Sequence, residues 1–385
     1  MKYLMVDISG KVPKYDIALC EAISSSLVEK KELVLLAANI EPTNIKCNAK
    51  RLISLIPRKF QNSENKIKRS VKALEGIINY IYLLVFVLFT RPKVIHFQWL
   101  PFLEVSSVER IFLQLIKLIS SKSKLLITVH NIYPHNSSEN SRIKYKSRLA
   151  LVEKFFDKFI LHLQISKSEF CREFGIEGNR CKVIPHGVFE PKDLKIKPYK
   201  RNEKLRLIMY GNQSYYKGTD ILVDAIALLP KEVQNQICTT IVGKTSKDYL
   251  SLLQDKAKGL DINIIPEFVP DDKLNQMILD SDVIVLPYRE ISQSGVLLLA
   301  LFFERPIICS NLPSFRETLN SVPKDYFFES DKLQNLAMLI EKYANESIEV
   351  TSYLKKMKSL KNAYLWPSIA DFYKVLFDDR HSSLF

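Results

Sequence analysis

The chain has 385 residues, of which 47% are hydrophobic and 25% charged, which describes a folded protein with room for two domains of about 150 to 200 residues each. Its six cysteines (Cys20, Cys47, Cys171, Cys181, Cys238, Cys309) share no paired or metal-ligand spacing, so neither a disulfide framework nor a zinc site is expected, and a reducing cytoplasm fits best. The net charge of +14 is uneven: residues 1–189 hold 30 Lys and Arg against 16 Asp and Glu, residues 190–385 hold 26 against 26, and the whole excess (30 − 16 = 14) lies in the first half.

In chain order, the opening MKYLMVDISG reads as a short strand, Tyr3–Ile8, without the basic-then-apolar layout of a secretory signal. A helix from Asp16 to Leu27 and a strand at Leu33–Ala37 follow. Arg58, Lys59, Lys66, Lys68, Arg69 and Lys72 then lead into IINYIYLLVFVLF, residues 77–89, an apolar run shorter than the roughly 20 residues a bilayer crossing needs. Two readings are open for it: a helix lying on an anionic membrane face, or a buried core helix behind a charged loop. Strands at Val94–Gln98, Leu125–Val129, Phe159–Leu163 and Lys182–Ile184, with a helix at Val108–Ile119, continue a strand–helix rhythm that predicts a parallel, Rossmann-like sheet.

Residues 189–202, FEPKDLKIKPYKRN, are rich in Pro and Lys and read as a linker. A second alternating series follows, with strands at Leu205–Tyr210, Ile237–Val242, Ile262–Ile265, Val283–Pro287 and Ile307–Cys309. Its helices are expected at 219–228, 247–258, 271–279 and 295–303. The expectation is an α/β protein of two doubly wound domains, 1–189 and 190–365, with ligands bound outside the carboxyl ends of the strands, across a cleft.

Two strand-to-helix turns in the second series carry candidate chemistry. After LRLIMY comes Gly211-Asn212-Gln213-Ser214-Tyr215-Tyr216-Lys217-Gly218-Thr219-Asp220, where a glycine permits close approach and Lys217 offers a point charge to a diphosphate, while Thr219 or Asp220 serves as helix cap. It is neither a GxGxxG turn nor a Walker A loop. After Val283–Leu286 comes Pro287-Tyr288-Arg289, then Ser292-Gln293-Ser294-Gly295 and an unbroken apolar helix beginning at Val296. Backbone N–H groups and a helix start there make an anion pocket; the plainer alternative is an ordinary connection with a serine N-cap.

YGNQSYYKGTDILVDAI, TIVGK, PEFVPDDKLNQMILDSDVIVLPY and SQSGVLLLALFFERPIICSNLPSFRE, in that order, resemble the nucleotide-sugar domain of the retaining glycosyltransferases of family four, which have the GT-B fold of two facing Rossmann-like domains. KVIHFQW (93–99), ITVHNIYPH (127–135) and KVIPHGV (182–188) extend the resemblance to the first half, and Tyr364-Leu365-Trp366-Pro367 resembles the start of the family's last helix, here 366–385, which packs back on the first domain. The resemblance implies that Lys217 contacts the donor diphosphate, with Gly211, Asn212, Gly243, Ser292, Ser294, Gly295 and Val296 around it. An arginine usual in the family is replaced by Asn212 and Gln213, and its pair of glutamates falls on Ile291 and Leu299, so both are absent. Glu290 takes over only if the loop shifts by one position. Glu317 falls near a ribose-contacting acid, with a surface salt bridge as the alternative.

By the same resemblance His130 matches the histidine beside the transferred sugar, whereas His96 reads as a packed strand residue, and His135 and His186 as loop anchors or cleft lining. The implied activity is a nucleotide-sugar dependent, retaining hexosyltransferase, with a UDP- or GDP-linked donor, no metal and no cofactor. Its acceptor would be a lipid-linked saccharide or oligosaccharide, and it would work as a peripheral protein on the inner face of the cell membrane in bacterial surface polysaccharide assembly. The basic half suits an anionic membrane surface; no nucleic-acid-binding motif is present. A catalytically weakened sugar-nucleotide-binding subunit is the alternative, and the missing glutamates are its support.

Overall fold

Every residue of the first two strands, Tyr3–Asp7 and Leu33–Ala37, is buried. Such strands belong to a sheet covered on both faces, which is why they read as unbroken apolar runs instead of alternating ones. The computed structural model describes residues 2–26, 32–41, 45–55, 66–134, 137–191, 194–347 and 350–373, without the side chains of 66–69. The chain divides into two compact units, Met1–Gly187 with Trp366–Phe385, and Val188–Leu365.

The strands of unit 1 are β1 (Tyr3–Asp7), β2 (Leu33–Ala37), β3 (Ala49–Arg51), β4 (Val94–Trp99), β5 (Lys124–Thr128), β6 (Lys158–Leu161) and β7 (Cys181–Val183). They pair in parallel in the order β3-β2-β1-β4-β5-β6-β7. The order reverses at β1, which creates a switch point where the loops after β1 and β4 diverge. The helices are α1 (Pro13–Ser26), α2 (Lys66–Thr90), α3 (Glu109–Ile119), α4 (Glu139–Val152) and α5 (Gln164–Phe174). Helices α4 and α5 have no counterpart in the sequence reading, because α4 buries only Leu149 and Val152 and α5 only Phe170, too few apolar positions to show a period.

Helix α2 is longer than the apolar run that marked it. Its stretch Ser70–Thr90, 21 residues, is long and apolar enough to cross a membrane by length and composition, which corrects the expectation drawn from residues 77–89 alone. Upstream of Ile77, Val71, Ala73, Leu74 and Gly76 extend the apolar stretch past Lys72 and Glu75. Tyr80, Leu83 and Val87 are nonetheless fully buried in the core of unit 1.

The strands of unit 2 are β8 (Leu205–Tyr210), β9 (Ile237–Val242), β10 (Ile262–Ile265), β11 (Val283–Leu286), β12 (Ile307–Ser310) and β13 (Phe327–Phe328), again all parallel, in the order β10-β9-β8-β11-β12-β13. Around them lie α6 (Thr219–Ala227), α7 (Lys231–Asn235), α8 (Lys247–Lys256), α9 (Asp271–Leu279), α10 (Gly295–Phe302), α11 (Pro313–Thr318), α12 (Leu333–Ala344) and α13 (Val350–Ala363). The switch point falls between β8 and β11, the two strands whose following turns were singled out. The last helix, α14 (Trp366–Asp371), belongs to unit 1, where it packs along α1.

On β4, His96 is fully buried between Tyr3, whose hydroxyl lies 2.5 Å from Nδ1, and Thr128, whose hydroxyl lies 2.8 Å from Nε2. Burial lowers its pKa to about 3. The unfolded chain therefore takes up a proton near pH 6.5 that the folded chain refuses, and stability contributed by neutral His96 is lost as pH falls from there toward 3. Between about pH 6.5 and about pH 5 the protein is expected to lose roughly 1.5–2 kcal/mol more than the His96→Gln variant. Urea unfolding at the two pH values checks this, and equal losses would contradict it.

Candidate functional site

In unit 2 the chain leaves β8 at Gly211 with φ +96°. A short 3-10 turn, Tyr215–Lys217, ends at Gly218 with φ +67°. A Cβ on Gly218 would stand 1.9 Å from the carbonyl oxygen of Pro287, so only glycine lets the turn press this closely on the segment after β11. That turn sends the Lys217 side chain inward. A Cβ on Gly211 would lie 2.9 Å from Lys217 Nζ and 3.1 Å from Val296 Cγ2, so the strand end, the lysine and the start of α10 converge on one point. Lys217 is 6% exposed, and its Nζ lies 5.5 Å from the Tyr288 ring. Among the described residues no carboxylate pairs with it, and burial lowers its pKa to about 8.

The opposite wall is the start of α10. Ser294 is the N-cap, its Oγ accepting from Leu297 N–H at 3.1 Å, while Leu298 N–H reaches the Ser294 carbonyl at 3.2 Å. The N–H groups of Gly295 and Val296 find no acceptor among the described residues. Two free donors, backed by the positive end of the helix, face the same region as an ammonium without a counter-ion. The serine caps the helix, as the plainer reading of this turn has it, and two N–H donors are left over.

Ile291 and Leu299 pack against the apolar core of unit 2, so no acid stands at either place. Glu290 and Ser292 are exposed, and Glu290 has no hydrogen-bond partner among the described residues. Glu317 is half-buried on α11, a helix tied to the same loop by Ser314 Oγ donating to the Ile291 carbonyl at 2.9 Å. Asn212 is exposed, and Gly243 packs directly against the Gly211 carbonyl, 2.0 Å from where a Cβ would be.

Neither Thr219 nor Asp220 caps α6, as the sequence reading had it; Gly218 holds that position, and the side chain that meets the helix start is that of Tyr249, whose hydroxyl accepts from the Asp220 N–H at 3.3 Å. Both side chains are committed elsewhere. Thr219 Oγ1 donates to Gln213 Oε1 at 2.6 Å, and Gln213 Nε2 donates to the carbonyls of Gly211 at 2.7 Å and Val242 at 3.1 Å, pinning the loop after β8 to the end of β9. Asp220 accepts both arms of the Arg289 guanidinium, at 2.8 and 2.7 Å, and the Tyr249 hydroxyl at 2.8 Å. Burial would raise its pKa, but the hydrogen bonds from Arg289 and Tyr249 outweigh that and hold it below the ordinary carboxylate value. Arg289 also donates from Nη1 to the Tyr215 carbonyl at 2.6 Å, from its backbone N–H to the Tyr216 carbonyl at 2.8 Å, and lies 3.9 Å from the Tyr215 ring centre. One arginine thus stitches the turn that aims Lys217 to the loop that leads into α10. Sequence reading gave Arg289, Gln213 and Tyr249 no such role; Arg289 and Tyr249 meet Asp220 from 69 and 29 residues along the chain.

In unit 1, His130 follows β5 and is stacked on Trp99 at 6.1 Å, with the Tyr15 ring edge-on at 4.9 Å and His162 at 5.4 Å. Among the described residues its Nε2 has no hydrogen-bond partner. Burial first, then the neighbouring His162, His186 and His96, push its pKa well down, so the imidazole is neutral. It borders a cavity of about 40 Å³ shared with Trp99, Leu103, Glu104, Asn131 and Tyr145. His186 bonds the Gly187 carbonyl at 2.6 Å and meets Trp366 at 5.8 Å; His162, which sequence reading passed over, bonds the Ile184 carbonyl at 2.9 Å. Its signal was present, since HLQIS follows β6 as HNIYP follows β5. His135, Arg58 and Lys59 lie outside the described residues. Among the described residues no three His, Cys, Asp or Glu side chains are grouped to hold a metal ion.

Residues 191–363 match the family model Glycosyl transferases group 1. Over 106 residues the chain is 30% identical to a GDP-mannose:glycolipid 4-beta-D-mannosyltransferase of Xanthomonas campestris pv. campestris, an alignment covering 27% of this chain and 29% of that relative's length. Among solved structures, HepE of Anabaena in complex with UDP superposes with a TM-score of 0.68 at 15% identity, covering 98% of this chain and 99% of that one. Sucrose-phosphate synthase from Thermosynechococcus elongatus gives 0.65 at 15% identity, covering 98% of each chain. At these identities the likeness establishes the fold, which is GT-B.

Arg289→Ala would leave Asp220, 11% exposed in its side chain, without its bidentate partner. A loss of roughly 1–3 kcal/mol is expected. The double variant with Asp220→Asn is expected to lose less than the two single losses together, because the pair acts as one unit. Chemical unfolding of the three variants checks this, and simple additivity would contradict it.

Proposed function

We propose that this GT-B chain, whose second unit is a Glycosyl transferases group 1 domain, moves a hexosyl group from a UDP- or GDP-linked sugar to a lipid-linked saccharide, with retention of configuration. The observation that carries the reading is the unpaired Lys217 ammonium beside the free N–H groups of Gly295 and Val296. A donor diphosphate supplies the counter-charge this point lacks. Glycosyl transfer builds negative charge on the departing phosphate, and a fixed cation and fixed dipoles stabilise that charge without reorganising. No side chain at the places of Ile291 and Leu299 can act as a carboxylate nucleophile. In a retaining route the departing phosphate would then take the proton of the incoming hydroxyl on the face it leaves. Neutral His130, with Nε2 unpartnered, suits an acceptor for a sugar hydroxyl.

The mannosyltransferase relative, by its name, uses GDP-mannose and a glycolipid, which supports a nucleotide-sugar donor and a lipid-linked acceptor here, at the inner face of the membrane in surface polysaccharide assembly. The beta linkage in that name favours a second reading, inversion, if the donor sugar is α-linked to the nucleotide as mannose ordinarily is. Inversion requires a general base beside the acceptor, and the burial that holds the His130 pKa well down makes its imidazole a weak one, which places this reading second. The anomeric signal of the product in proton NMR separates the two.

Saturation with the cognate nucleotide at about one hundred times its Kd is expected to stabilise the protein by about 2.7 kcal/mol, seen as a thermal shift across a panel of UDP, GDP and their sugars. Lys217→Ala is expected to weaken nucleotide binding at least about tenfold, the worth of one charge-assisted contact. A nucleotide-induced shift without turnover of any donor sugar would favour a binding subunit over an enzyme; no shift with any nucleotide would contradict both.

A further inference from the structure

From Leu74 to Phe89 the solvent side of α2 is apolar. Leu74, Ile77, Ile81, Val85 and Leu88 recur at the spacing of one helical face and are 55%, 37%, 52%, 50% and 46% exposed, with Tyr82 and Phe89 beside them, Phe89 at 81%. From Gly76 to Phe89 the helix holds no charged residue. Helix α3, which packs against α2 through the stacked rings of Tyr80 and Phe112 at 4.4 Å, carries a second exposed set at helical spacing, Ile111, Leu115 and Leu118. Monomeric proteins seldom leave so continuous an apolar surface in water.

The charges around this surface are mostly of one sign, and its acids Asp157 and Glu104 are each held by a lysine, Lys117 at 3.1 Å and Lys11 at 2.9 Å. Glu75 and Glu109, the only acids on α2 and α3, are both buried, accepting the backbone N–H groups of Leu55 and Phe102. What remains exposed is basic: Lys50, whose ammonium lies 5.3 Å from the α2 residue Phe86, with Arg51, Arg91, Lys93, Arg110 and Lys122. The excess of 14 positive charges in residues 1–189 has the same sign.

We propose that the outer faces of α2 and α3 are a docking surface for an anionic phospholipid bilayer, on which α2 lies in the plane of the interface. The inner face of α2 is committed to the core through Tyr80, Leu83 and Val87, which holds the helix along the surface of unit 1. Apolar side chains then enter the acyl boundary while the surrounding Lys and Arg meet the headgroups, and both terms draw on the same orientation. The inference extends the lipid-linked acceptor reading, but vesicle binding requires neither donor nor acceptor and can succeed or fail apart from it.

The test is flotation of the full chain with phosphatidylcholine vesicles and with mixed phosphatidylcholine–phosphatidylglycerol vesicles, without nucleotide. The wild-type protein is expected to float with the mixed vesicles, and Ile81→Glu with Val85→Glu to reduce bound protein at least about tenfold while keeping the wild-type thermal midpoint. Because both positions are exposed, the fold should survive; a Phe89→Trp variant supplies a second readout, a blue-shifted emission with the mixed vesicles. Absence of flotation with the mixed vesicles, equal flotation of wild type and double variant, or resistance of the bound protein to alkaline carbonate extraction, which marks a spanning helix, would each overturn the proposal. So would a dimer in solution that the double variant converts to monomer while vesicle binding stays unchanged, since the occupant would then be a second copy. Donor turnover with a water-soluble saccharide acceptor, measured in parallel, reports on the transferase reading alone.

Discussion

A buried ammonium with no counter-ion is costly, and unit 2 is arranged to keep one in place. Lowering the Lys217 pKa from 10.5 to about 8 corresponds to about 3 kcal/mol against its charged form. A folded protein bears that cost only where the surrounding backbone leaves the side chain no better place, and here the Gly218 turn, wedged against the Pro287 carbonyl, removes the alternatives. The Arg289–Asp220 pair then locks the turn to the loop before α10, so the lysine and the free N–H groups of Gly295 and Val296 are held in a fixed relation before any ligand arrives. Preorganisation of this kind is what charge stabilisation at a departing phosphate requires.

Unit 1 solves a different problem. His96, His130, His162 and His186 gather near the carboxyl ends of parallel strands, and burial keeps each of them neutral. Neutral imidazoles can accept or donate a hydrogen bond without the repulsion that four cations would bring. Trp366 of α14 closes this cluster against Tyr15 and His186, and it lies so near Gly187 that any side chain there would collide with its ring. The last helix of the chain thus completes the packing around the histidines of the first unit.

The parallel sheets were legible because strands covered on both faces are written as apolar runs, and Leu33–Ala37, Leu205–Tyr210 and Ile237–Val242 stand where that pattern put them. Helices α4 and α5 were not legible, since each rests on one or two buried side chains. At the site, Lys217 and the Ser294–Val296 turn could be read from local order: strand, glycine, cation, helix. The clamp could not, because Arg289 and Asp220 are 69 residues apart and neither belongs to a recognisable turn signature. Gln213 stands where a cation was looked for, and its amide instead fastens two backbone carbonyls and a hydroxyl that would otherwise leave the loop loose.

The most direct test of the central claim is a titration of the Lys217 amine by NMR of isotope-labelled lysine, assigned by comparison with Lys217→Arg, in the free protein and with UDP or GDP. A midpoint near 8 in the free protein is expected, rising by about one unit or more with the nucleotide that binds, because an adjacent diphosphate favours the charged form. A midpoint near 10.5 in the free protein, or one that stays put while a nucleotide binds, would contradict the account.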